Sequence, residues 1–465
     1  MTQAMPHRRI LALAAAIVSF FILVGFSPSG VPQSFFSLPS IFVLILVCSV
    51  FLTTFLNTNL ALCILIFSML LSPELPLFKV PDRAVVVRVD DLLLAVVFLS
   101  WLAKTALTKG VGFLKYTPVN KPMLIYIALC IIVTASMIIL GVGLAKFSNA
   151  VFYILKYAEY FILFFLVNNN VRSAKQIKIF TVLMLVVCCI VGIVGYVQIH
   201  QGVARITAPF EGERAEPNTM AGYLTVMFGL MGGVFLASRS RGLKIILGMF
   251  AAWLIPVFLY TLSRGGYTAF VALFIGFALF GKRARVFLLM GILILLILAP
   301  RILPLNVMER IRYTFQPGKT VSAQRYEVLG KRFDIEASAA ARIDLLTWLI
   351  PLWLKSPVFG LGVTGVGFVE GQYVRTLGEL GVVGLVVFFW LLARLFKSLS
   401  NVYNSIQDDL WLKGVSLGVL ASLFALCVHA LSANVFIIVR IMEPFWFLVA
   451  MVLAIPHFEQ TGDLT

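Results

Sequence analysis

Charge is scarce in this chain: Asp, Glu, Lys and Arg make up 12% of its 465 residues, against 61% hydrophobic ones. A water-soluble domain carries about a quarter charged residues, so this composition excludes one. Acids are the scarcer sign, 20 against 37 Lys and Arg. Histidine is rarer still. Its 4 copies, His7, His200, His429 and His457, form neither an H-x-x-x-H nor an H-E-x-x-H zinc motif. The 6 cysteines, Cys48, Cys63, Cys130, Cys188, Cys189 and Cys427, all lie inside apolar runs without ligand spacing, which argues against a disulfide framework and a metal site. G-x-S-x-G, Ser-x-x-Lys, Walker and strand-to-helix glycine patterns are missing too, leaving soluble cofactor chemistry without support.

Long hydrophobic runs are what the chain has in abundance. Most extend about 15 to 22 residues with few charges, the length of a helix crossing about 30 Å of hydrocarbon, and they lack the alternation of an outer-membrane barrel. The expected fold is an all-α polytopic integral membrane protein of about 12 to 14 transmembrane helices. Their approximate cores are 10–26, 39–56, 58–72, 92–107, 122–141, 150–168, 177–199, 219–237, 243–262, 267–280, 285–299, 376–397, 413–433 and 441–457. The first, from Ile10 to Phe26, reads as a retained helix, because no small-x-small cleavage site follows it. Residues 1–299 and 376–465 are thus expected to form two sets of membrane helices, separated by a long polar loop at 300–375.

The net charge of +17 would suggest nucleic acid in a soluble protein. Here cytoplasmic loops and a basic pocket for an anionic substrate are the competing explanations, and no nucleic-acid partner is expected. Clusters at Arg8–Arg9, Lys104–Lys121, Arg172–Lys178, Arg239–Lys244, Lys282–Arg285 and Arg394–Lys413 all thread to one side. Short basic loops stay cytoplasmic, which puts both termini there as well. The opposite side receives Arg205, Arg214, Arg264, Arg342 and Arg440, where topology alone asks for no cation. Guanidinium groups fork onto phosphate oxygens, so several of them at a bilayer interface suit a lipid-linked diphosphate; snorkelling to headgroups or pairing with Glu211, Glu213 or Asp344 is the plainer alternative.

Within the long loop, Glu336 to Lys355 reads as an amphipathic helix interrupted near Pro351, and Ser356 to Gly367 is glycine-rich, suited to tight turns or close backbone approach. The stretch EGQYVRTLGELGVVGL opens the next span. In a continuous helix Glu370 would share a face with Tyr373 and Leu377, while Glu379 would lie beside Arg375 as an i, i+4 ion pair. Glu370 is placed either as a general base on a hydroxyl or as an interfacial helix-end charge. Arg440 and Glu443 read as an i, i+3 pair, Arg88 with Asp90 and Asp91 as a helix cap or a vestibule lining, and His429 as a hydrogen-bond donor between helices.

In order, RITAPFEGERAEPNTMAGYL, TLSRGGYTAF, ARIDLLTWLIPLWLKSPVFGLGVTGVG and EGQYVRTLGELGVVGL resemble the O-antigen polymerase and O-antigen ligase superfamily, the Wzy and WaaL type of membrane protein. That resemblance implies a metal-independent glycosyltransferase of C-type architecture in the bacterial inner membrane, without a cofactor. Its donor would be an undecaprenyl-diphosphate-linked oligosaccharide at a periplasmic active site. Arg205, Arg264, Arg342 and Arg214 would grip the diphosphate, with Arg264 and Glu370 as the catalytic pair and Asn218, Tyr373 and Arg375 beside the glycan or acceptor. Membrane lipids and a chain-length regulator are the implied partners. In many relatives, ligases above all, the segment before the last motif resembles HNxxLxxLAELG, and Glu370 here stands at the family's His. This departure favours a polymerase of repeat units over a ligase. A transporter of an anionic solute and a noncatalytic scaffold are the remaining readings.

Overall fold

A computed structural model of the chain describes residues 48–78, 85–107, 115–142, 147–211, 216–281 and 347–459, with Arg285, Met308 and the backbone of two short strands at 323–328 and 331–336. The expected spans at 10–26 and 285–299, most of the loop at 300–346, Arg214 and Arg342 lie outside the described residues.

Eleven helices lie wholly within the described residues: α1 (Thr58–Leu71), α2 (Val89–Leu107), α3 (Asn120–Leu140), α4 (Phe147–Asn170), α5 (Ala174–His200), α6 (Pro217–Ala237), α7 (Arg241–Tyr260), α8 (Arg264–Phe280), α9 (Gln372–Ser405), α10 (Leu410–His429) and α11 (Val439–Glu459). Eight of the eleven, all but α1, α2 and α8, are long and apolar enough to cross a membrane, and α1 and α8 are shorter apolar helices. The protein is a multi-pass, helical membrane protein. Two antiparallel hairpins interrupt the helices, β1 (Glu74–Phe78) with β2 (Val85–Arg88), and β3 (Ala323–Val328) with β4 (Lys331–Glu336).

Helix starts follow the local chemistry of their caps. Asn57, Ser173, Ser240, Ser263 and Asp409 each turn a side-chain oxygen to backbone N–H groups of the helix they precede, and Pro217 opens α6. Ser173 and Gln176 complete a capping box.

Apolar side chains gain nothing by leaving lipid for a neighbouring helix, so close packing must hold the bundle together. The tightest seam joins α6 to α10. Gly229 and Gly233 face Gly414 and Gly418 so closely that a Cβ on Gly418 would lie 2.5 Å from the Gly229 carbonyl oxygen. Small-x-x-x-small spacing on both helices permits this approach. On its other side α10 meets α8, where Gly276 packs on Ala421. Buried shares separate centre from periphery: 89% for α11 and 78% for α6, but 22% for α7 and 28% for α3.

Alternation of helix direction sorts the loops into two ends. At one end Lys115 donates to the Asn168 and Val171 carbonyls (3.3 and 3.4 Å), Lys413 donates to that of Ile406 (2.8 Å), Lys104 reaches Thr58, and Lys178 pairs with Asp409 (2.8 Å). The opposite end gathers the β1–β2 hairpin, the loops at 201–216 and 261–263, the glycine-rich segment and the α10–α11 connection. It holds Arg88, Arg205, Arg264, Arg375 and Arg440. These are called the lysine end and the arginine end.

Candidate functional site

At the arginine end, four expected site residues sit on turns that touch one another. Arg205 directs Nε and Nη2 toward the carbonyls of Thr261 and Leu262 (3.4 and 3.3 Å), and Ile206 N–H bonds the Tyr260 carbonyl. Its loop is thereby fastened to the turn that precedes Arg264. Ser263 caps α8 by accepting from Gly266 N–H (3.0 Å) while its hydroxyl donates to Asn218 (2.6 Å) at the start of α6. Arg264, half-buried, opens α8 directly after this cap.

The next residue links this turn to the α10–α11 connection. A Cβ on Gly265 would come within 3.2 Å of His429 Nε2 and closer still to Ser432 Oγ. One residue before Ser432, the Leu431 carbonyl lies against Gly371, and the Ala430 carbonyl accepts from Gln372 N–H (2.9 Å). Glu370, exposed, stands immediately before Gly371. A chain of backbone and side-chain contacts thus runs from Arg205 and Asn218 through the turn at 261–265 and Ser432 to Gly371, with Arg264 and Glu370 adjacent to it in sequence.

Glu370 does not share a helical face with Tyr373 and Leu377. Gly371, at φ +94°, breaks the chain there, and α9 begins only at Gln372. Glu370 therefore belongs to the preceding loop. Tyr373 and Arg375 are engaged inside the protein. The Tyr373 hydroxyl donates to the Cys427 carbonyl (2.8 Å) and its ring stacks on Phe389. Arg375 is 5% exposed, bonds Glu379 through Nε (3.0 Å) and lies 4.8 Å from the Tyr153 ring. The i, i+4 pair is thus present, and it engages the Arg375 guanidinium inside the bundle.

The glycine-rich segment packs on α9. Leu361 and Gly362 N–H groups bond the Gly378 and Glu379 carbonyls (3.0 and 2.8 Å), and Thr364 N–H bonds Glu379 Oε1 (2.9 Å). These carbonyls are available because α9 kinks at Gly381, whose φ of 66° and ψ of −166° leave the helical region. A Cβ on Gly360 would stand 2.5 Å from the Glu379 carbonyl oxygen, so the close backbone approach expected of these glycines is to a helix.

Two features differ from what spacing implies. One is His429, fully buried, with neither ring nitrogen hydrogen-bonded among the described residues. Its expected bond between helices is not made; the imidazole packs against Gly265 and Gly222 instead. A lone intramembrane His gives no motif, and only its neighbours in space mark it.

The other is an ion network. Arg88, 4% exposed, pairs with Asp90 and with Glu443 (3.1 Å), and Lys156 pairs with Asp91 and with Glu159 (3.0 Å). Arg440 does not close on Glu443 as expected. It donates to the carbonyls of Leu70, Ser72 and Phe210 (2.7, 3.2 and 3.1 Å) and approaches Glu74 (3.7 Å). A guanidinium has five donors and can close several chain ends at once, whereas an i, i+3 pair would have left those carbonyls bare. Nearby Glu211, in the 201–211 loop, has its carboxyl pushed up to about 7 by burial, against the opposing pull of Arg440.

Two concavities lie elsewhere, one of about 560 Å³ beside Tyr196, His200 and Trp253, the other of about 360 Å³ at the lysine end beside Tyr403 and Lys413. Neither is lined by Arg205, Arg264 or Glu370. No protein-family model and no curated protein sequence matches the chain.

Proposed function

We propose that the protein polymerises undecaprenyl-diphosphate-linked polysaccharide repeat units, of O-antigen or exopolysaccharide, by inverting glycosyl transfer at the periplasmic face of the bacterial inner membrane. The observation that supports this reading is the contiguity of the turns bearing Arg205, Asn218, Arg264 and Glu370 at the end opposite the lysines. The lysine end is then the cytoplasmic one and holds the termini.

In this reading Arg205 and Arg264 lie against the diphosphate of the donor and stabilise the charge that grows on it as the anomeric C–O bond breaks. Glu370 accepts the proton of the acceptor hydroxyl, whose oxygen forms the new bond from the opposite face. Asn218, held by Ser263, orients the sugar. Fixed guanidinium charge supplies what a metal ion supplies elsewhere, and no cofactor takes part. Purified protein given only a lipid-linked repeat unit should yield a ladder of longer products. If elongation required lipid A core, the ligase alternative would replace this one, because the two share these residues and differ in acceptor.

The arginines gathered at one end would also suit a second reading, transport of an anionic solute through a basic vestibule. Solute flux into proteoliposomes without any glycan product would establish it. Flux absent while the ladder forms would dismiss it.

A further inference from the structure

Inside the bundle two cations serve four carboxyl groups: Arg88 and Lys156 against Asp90, Asp91, Glu159 and Glu443. Lys156 takes one oxygen of Asp91 and one of Glu159, and Arg88 takes Asp90 and Glu443. Asp91 Oδ1, with Arg88 Nε no nearer than 3.8 Å, and Glu159 Oε1 are then left buried without a hydrogen-bond donor, while both carboxyl groups meet on the one Lys156 ammonium. Two ionised carboxylates so placed would repel, and each would hold an unsatisfied acceptor in a region of low dielectric. One proton turns this repulsion into an acid-to-carboxylate hydrogen bond.

We propose that Asp91 and Glu159 hold one exchangeable proton between them, forming a buried proton-binding site where α2 meets α4. The proton comes from water and goes to a carboxylate oxygen; no other bond changes. The facing charges are Lys156 on α4 itself, Asp90 on α2, Arg88 on β2, and Glu443 and Arg440 on α11. Neither α1 nor α3 brings a charged side chain to this depth, since α1 has none and the Lys121 of α3 belongs to the lysine end. The rival ligand is a metal ion, because oxygens of Asp90, Asp91 and Glu443 lie within 4.8 Å of one another. Against it, Arg88 already bridges Asp90 and Glu443, and Lys156 already sits on Asp91.

Infrared difference spectroscopy of the full chain in lipid nanodiscs tests the site, in a Glu211→Gln background that removes the neighbouring acid. The proposal expects a protonated-carboxyl C=O band at neutral pH that shifts in heavy water and disappears in Glu159→Gln. Glu370→Gln should leave it intact. Lys156→Met is the second variant, useful if Glu159→Gln folds poorly: loss of that cation should carry the band to higher pH. A band missing at neutral pH, a band unchanged in both Glu159→Gln and Lys156→Met, or its removal by calcium or sodium at constant pH would each overturn the proposal, the last in favour of a metal site.

Discussion

The two ends of the bundle place their cations differently. At the lysine end Lys115 and Lys413 serve nearby carbonyls at helix ends, and Lys178 and Asp409 remain partly open to water. At the arginine end Arg440 joins α1, the hairpin and the 201–211 loop through one side chain, and Arg88 joins α2 to α11. The contrast follows from the side chains: an ammonium is a hydrated point charge, a guanidinium a planar fork of donors that tolerates burial when paired. One end is trimmed with charge, and the other is built from it.

Substitutions that remove single charges should break this contrast unequally. The largest effect is expected for Arg88→Ala, which leaves Asp90 and Glu443 buried without their cation and should cost about 3–5 kcal/mol, measured by denaturant or thermal unfolding in detergent. Arg264→Ala should leave that transition near wild type, yet lower repeat-unit polymerisation by about 10²–10³-fold, as loss of one oxyanion-type donor does, with Arg264→Lys between the two.

A smaller effect should appear as pH dependence. The folded Glu211 carboxyl titrates at about 7 against an ordinary 4.5, so its contribution to stability is complete below 4.5 and is lost as pH rises through about 7. Melting temperatures across that window should fall, and Glu211→Gln should flatten the slope. Smallest of all, Lys178→Ala should change stability by about 0–1 kcal/mol, since its pair with Asp409 is exposed and screened by salt. Burial pulls the Asp409 carboxyl up, but Lys178 and the N–H groups of Trp411 and Leu412 hold it below its ordinary range. That contribution is present at neutral pH and vanishes as pH falls through the lowered value, so Lys178→Ala should differ from wild type least in acid.

Apolar periodicity made the helices legible, because a membrane span needs a run of fixed length; each expected core from 58–72 to 267–280 and from 376–397 onward falls on a helix. The lysine clusters likewise gather at one end. Pairing was legible only where it is local, as for Arg375 with Glu379. Arg440 and Glu443 were misjudged for the same reason: spacing sees four adjacent residues, while the partners that satisfy them come from α1, β1, β2 and the 201–211 loop. Glu370 lies in the loop before α9, as the 300–375 boundary implied, but the helix starts at Gln372 because Gly371 takes a positive φ that a sequence does not display. The Gly229–Gly233 and Gly414–Gly418 spacings were readable signals of the α6–α10 seam and of what brings His429 to Gly222.

The kink at Gly381 also bears on how the molecule assembles. The loop from Pro357 to Thr364 and the carbonyls it caps on α9 are near neighbours in sequence, so closing them loses little chain entropy and can happen early. Contact between Gly265 and His429 joins segments separated by the whole 300–375 interval and so closes a longer loop at a higher cost in chain entropy. Glu370 would then ride on a unit already formed, and the meeting of α8 with α10 would be the step that completes the arginine end.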